Sequence, residues 1–118
     1  MNELSVDGLD LEQALERTGG DRELLAEVAQ MCLDDIPGML GDIRASLSQC
    51  NAQAVRKAAH KLKGSLVALA ADDASEAAHS IEVMGAAGHL DRAAEAVAAL
   101  EGEIERILPA LAAIAANP

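Results

Sequence analysis

Residues 51–69 read NAQAVRKAAHKLKGSLVAL. Val55, Ala59, Leu62, Leu66 and Leu69 recur at steps of three and four, which puts them on one face of an α-helix. Asn51 offers the side-chain oxygen that caps such a helix at its start. Projected at about 100° per residue, Arg56, Lys57, His60, Lys63, Gly64 and Val67 fall on the opposite face. A histidine thus sits among cations on the exposed side of a regular amphipathic helix. Glycine inside a helix costs roughly 1 kcal/mol relative to alanine. Gly64 does not stop this helix, because Leu66 and Leu69 carry the apolar stripe past it. It reads instead as clearance beside His60 for another molecule.

Outward from this segment the pattern stays helical. Leu9, Leu11, Ala14 and Leu15 predict a short first helix ended by Thr18-Gly19-Gly20, and Asp21 caps the next. Leu25, Val28, Cys32, Ile36, Met39, Ile43 and Leu47 then mark a long helix to about Gln49, with a kink expected at Pro37. Beyond residue 69, Ala70 to Asp73 predict a turn and a fresh cap. A fourth helix follows with Ala74, Ala77, Ile81 and Met84 inward, broken by Gly85 to Gly88. The last begins near Asp91 and carries Ala94, Val97, Leu100, Ile104, Leu108, Leu111 and Ile114, with Pro109 kinking it or ending its regular part. No strand-like alternation occurs. The expected architecture is all-α, an antiparallel up-and-down four-helix bundle with a short additional N-terminal helix.

Composition agrees. A chain of 118 residues suits one domain with a continuous core. With 51% apolar residues and no aromatics, that core must be made of Leu, Ile, Val, Met and Ala. Cys32 and Cys50 lie in apolar stretches without metal or disulfide spacing and read as reduced core or boundary residues. The acidic start lacks a signal pattern, and no apolar run approaches the ~18 residues of a membrane span, so a cytoplasmic, soluble protein is expected. A net charge of −11 argues against nonspecific binding to nucleic acid or an anionic membrane. Yet Ile43 to Ala71 contains no acidic residue and holds Arg44, Arg56, Lys57, Lys61 and Lys63, five of the nine basic residues. Such a local reversal of sign marks a surface suited to anions.

The stretch Ala58-Ala59-His60-Lys61-Leu62-Lys63-Gly64-Ser65 resembles the A-H-x-L-K-G-S signature of histidine phosphotransfer (HPt) domains. Gly19-Gly20-Asp21, Asp35-Ile36-Pro37 and Asn51 also look like family features, so the resemblance spans nearly the whole chain as one HPt domain over residues 1–118. It implies that His60 is phosphorylated, that Lys63 helps hold the phosphoryl group, and that Gly64 lets a receiver domain approach. Arg56, Lys57, Lys61 and Val67 would border that contact. One departure falls at Ala70, where many members have glycine. In the fourth helix His79 and Glu82 lie 19 and 22 residues after His60, a spacing similar to the histidine and glutamate around the phosphorylated histidine of chemotaxis kinases. Many relay members instead have glutamine at the second position.

A neutral imidazole carries a proton on one nitrogen and a nucleophilic lone pair on the other. If Glu82 accepts the Nδ1 proton, Nε2 faces outward, ready to attack phosphorus, with Lys63 as the cation for the phosphoryl oxygens. There is no phosphate-cradling glycine loop, nucleotide motif or acidic magnesium cluster. The expectation is therefore a phosphocarrier, not an enzyme, without cofactor or metal, acting as a monomer between a sensor histidine kinase and a response-regulator receiver domain. A carrier protein with its prosthetic arm on Ser65 would need that serine at a helix start in acidic surroundings. A metal-binding bundle would need Glu-x-x-His pairs on two helices. The remaining alternative is a helical adaptor that binds a receiver or kinase without being phosphorylated.

Overall fold

The computed structural model describes residues 5, 6 and 8–116, with side chains from residue 8 onward. Five helices follow one another: α1 Leu11–Arg17, α2 Arg22–Ser48, α3 Ala52–Ala68, α4 Asp72–Ala87 and α5 Ala93–Ala116. Ahead of them, β1 (Ser5–Val6) pairs antiparallel with β2 (Leu9–Asp10), a two-residue ladder in an otherwise helical chain. Leu9 belongs to that ladder, and Asp10 caps α1 by accepting the Gln13 amide.

The expected caps Asp21 and Asn51 each accept the amide three residues on, from Leu24 and Ala54. The Asp72-Asp73 pair does not cap α4; it occupies the first helical turn, and the N-cap position is Ala71, with no side-chain bond. Two acidic residues there still favour the helix through its N-terminal dipole. Helical structure runs through both Pro37 and Pro109, so neither proline ends its helix.

Each long helix packs on its neighbours in the chain, and α5 closes the ring against α2, with α3 and α4 in the most extensive contact. The core is aliphatic. Leu25, Ile36, Ile43, Leu62, Leu66, Ile81, Leu100, Ile107 and Leu111 are fully buried, each side chain contributing about 1.5–3 kcal/mol by leaving water. All five expected α3 stripe residues are buried. The other three stripes need correcting: in α2 Ala26 and Ala29 are buried, while the expected Val28, Met39 and Leu47 are only half-buried. In α4 the buried set is Ala74, Ala78, Ile81 and Gly85, while Ala77 and Met84 are only half-buried. In α5, Ala93, Ile107 and Ala110 are buried where Ala94 and Leu108 were expected. Gly85 does not break α4; Gly88, at φ +73°, ends it. Cys32 is buried, whereas Cys50 is exposed at φ +52° in the turn between α2 and α3.

Candidate functional site

The buried stripe of α3 turns the opposite face outward, and that face carries His60 with its side chain 64% exposed. Across from it, α4 buries Ala78 and Ile81 and so directs Glu82 along the α3–α4 seam, where only 16% of its side chain remains exposed. His60 Nδ1 lies 2.7 Å from Glu82 Oε2. A carboxylate can only accept, so Nδ1 is the protonated nitrogen and donates. In the neutral ring the lone pair then resides on Nε2.

The other oxygen of Glu82 is engaged too. Lys63, one turn after His60, places Nζ 2.6 Å from Oε1. Oε1 is shielded from solvent and meets no donor in hydrogen-bond alignment, so this contact is an ion pair in character. His79 Nδ1 reaches the same oxygen at 3.5 Å, beyond a good hydrogen bond. The Lys63 ammonium first, and the His60 ring second, outweigh partial burial and hold the Glu82 carboxyl down to about 2 from 4.5. Glu82 is thus a fixed anion clasping His60 and Lys63 together.

Three of the sequence-derived site residues, His60, Lys63 and His79, therefore converge on the carboxylate of a fourth, Glu82. Lys63 departs from its expected role in one respect: it faces Glu82 and is not free beside the ring. Lys57 and Lys61 are exposed, without an ion-pair partner among the described residues. Gly64 is exposed, and a Cβ added there would meet nothing within 4 Å. Val67 is an exposed apolar residue on the same helix, and Arg56 is half-buried. His89 is exposed in the turn after α4, away from this group. Ser65 Oγ turns toward Met39 Sδ at 3.9 Å, partly buried, which is a poor position for an attached prosthetic arm. Among the described residues no cluster of three or more His, Cys, Asp or Glu could hold a metal ion, and no helix is long and apolar enough to cross a membrane.

The family described as Hpt domain matches residues 27–110, well over half of the chain. The chain belongs to the Hpt domain family. No curated relative and no solved structure matches it. Hpt domains are histidine phosphotransfer modules of two-component phosphorelays, working with receiver domains and kinases, and they are phosphocarriers rather than ATP-dependent enzymes. The matched span contains all of α3 and α4, and with them the whole His60–Glu82–Lys63 group of this Hpt domain.

The residue that sequence reasoning misplaced is Gly85. As a glycine it reads as a helix breaker, yet it falls in step with Ala74, Ala78 and Ile81 at spacings of four, three and four. That spacing was the available signal for a buried, helix-facing position.

Proposed function

We propose that the chain accepts a phosphoryl group on Nε2 of His60 and exchanges it with the aspartate of a receiver domain. The observation that carries this reading is the Glu82 clasp on Nδ1, which leaves Nε2 as the free nucleophile on an exposed face. In the forward step the Nε2 lone pair attacks the phosphorus of an aspartyl phosphate. The N–P bond forms, the P–O bond to the receiver breaks, and its carboxylate leaves with the electron pair. Nδ1 keeps its proton, so the ring becomes cationic, and the Glu82 carboxylate 2.7 Å away stabilises that charge. Lys61 and Lys57, exposed on the same helix, attract the phosphoryl oxygens. Lys63 can join them by moving from Glu82 Oε1 to the new dianion, a change of partner between two anions.

His79 steadies Glu82 from α4, and Gly64, with Arg56 and Val67, forms the surface on which the receiver sits. The scaffold is an antiparallel up-and-down bundle serving as a single domain over residues 1–118. The protein acts as a monomer in the cytoplasm, where receivers and the kinase that supplies the phosphoryl group reside.

Incubation with phosphorylated receiver domains encoded in the same genome should add one acid-labile, base-stable phosphate. His60→Gln should abolish it, while His79→Gln and His89→Gln should not. Labelling that survives His60→Gln refutes the assignment, and a folded wild-type chain that binds a receiver without ever being labelled leaves only an adaptor role.

A further inference from the structure

α3 and α4 touch at backbone level at one point of their seam. A Cβ built at Gly85 would lie 2.7 Å from Arg56 N, 2.8 Å from Ala52 O and 2.9 Å from Arg56 Cα. All three are backbone atoms in a regular helix and cannot swing aside like the end of a side chain. Ordinary contact begins at 3.4 Å, so a methyl group here would force α4 away by roughly 0.7 Å.

The location matters as much as the tightness. Arg56 precedes His60 by one turn, and Gly85 follows Glu82 by three residues. Along the seam the contacts run in opposite order on the two helices, with Ala52 and Arg56 beside Gly85, and His60 and Lys63 beside Glu82. The helix separation fixed at Gly85 is therefore the one Glu82 must span one turn further on. Glu82 has little slack, since its two oxygens already stand 2.7 Å and 2.6 Å from atoms one turn apart on α3. A retreat of roughly 0.7 Å would carry the Nδ1 contact past the 2.7–3.2 Å range of a good hydrogen bond.

We propose that Gly85 is a positioning residue for phosphotransfer: by letting the α3 and α4 backbones touch, it sets the separation at which Glu82 holds the Nδ1–H of His60 and leaves Nε2 nucleophilic. The inference rests on the assignment of His60 as phosphoacceptor. It differs in kind from a packing role, because it ties a buried glycine to the protonation pattern of a ring on another helix.

The test combines nitrogen-15 NMR of the His60 ring in the unphosphorylated chain with the rate of phosphorylation by phosphoramidate, a small donor that needs no docking surface. In the wild type the ring should carry its proton on Nδ1. In Gly85→Ala that preference should weaken toward the mixture of a free imidazole, and phosphorylation should slow by about 10–100-fold, in keeping with ~1 Å of misplacement. Ile107→Ala, a core truncation in α5 where Gly8 packs, should lose stability yet keep the wild-type tautomer and rate. A folded Gly85→Ala with both unchanged overturns the proposal. Should Gly85→Ala not fold, Glu82→Asp decides: it shortens the reach by one methylene without touching the helix contact. It should lose the Nδ1 tautomer and slow phosphorylation, whereas retention of both shows that the clasp has slack and that Gly85 does not set it. A wild-type His60 that takes no phosphate defeats the functional assignment instead, and the ring tautomer, measured without phosphate, still judges Gly85.

Discussion

Gly64 and Gly85 occupy the interiors of consecutive helices, each a turn or less from a member of the Glu82 clasp, and helix propensity alone treats them alike. Their surroundings are opposite. Gly64 faces open space, while Gly85 is buried against the backbone of α3. On the proposed reading, one omits its side chain for the sake of a molecule that arrives from outside, the other for the sake of the chain itself. A glycine that weakens its own helix is explained only by what the missing Cβ would have met, and these two answers separate docking from assembly.

The largest effect should come from Gly64. Gly64→Gln should slow transfer from a phosphorylated receiver by about 100-fold, through roughly 1 Å of lost approach. It should leave phosphoramidate labelling intact and stability equal or up to about 1 kcal/mol higher. Slowing with the small donor as well would erase the distinction between the two glycines. Gly85→Ala should do the reverse in thermal denaturation, losing about 1–3 kcal/mol as an overpacked contact despite removing a helical glycine. A rise in melting temperature would mean that α4 has room the contact distances deny it.

Acid titration sharpens the clasp side of the comparison. The carboxyl of Glu82 is depressed to about 2 in the folded chain against 4.5 ordinarily. Its stabilisation is thus fully present above pH 4.5 and lost as the pH falls through about 2. The stability difference between wild type and Glu82→Gln should hold steady above pH 4.5 and shrink toward pH 2, as read by urea unfolding. A gap unchanged at pH 2 would contradict the ionised clasp.

The smallest effect belongs to a position where glycine is missing. Ala70 is buried at φ +55° just past α3, where its amide and that of Ala71 close the helix end on Val67 and Leu66. The departure from glycine noted there falls on a left-handed residue. Ala70→Gly removes about 1–2 kcal/mol of steric cost and gives up about 0.8 kcal/mol of methyl burial. A gain below about 1 kcal/mol with unchanged phosphorylation is expected, and a clear loss of stability would show that its methyl group matters more than its backbone.

The legibility of the sequence varied from helix to helix for physical reasons. In α3 charged and apolar residues alternate by face, so Val55, Ala59, Leu62, Leu66 and Leu69 could be read directly, and with them the exposure of His60. In α5 most positions are apolar, so the pattern does not distinguish Ile107 from Leu108 or Ala93 from Ala94, and the stripe drifted by one residue. In α4 the bulk of Met84 drew the inward face toward itself, while Gly85 looked like punctuation. The convergence of His60, Lys63 and Glu82 is legible in the sequence through the family resemblance, which sets Lys63 and Glu82 beside the histidine. That Lys63 rests on Glu82 is not, because which anion a lysine chooses depends on the separation of two helices.

On the proposed reading, Glu82 decides which nitrogen of His60 takes the phosphate. Phosphorylating the wild-type chain with nitrogen-15-labelled histidine and recording the ring nitrogens tests it most directly. A single phosphohistidine is expected, at His60, with phosphorus on Nε2 and the proton retained on Nδ1. Phosphorus on Nδ1, or on the ring of His79 or His89, would contradict it.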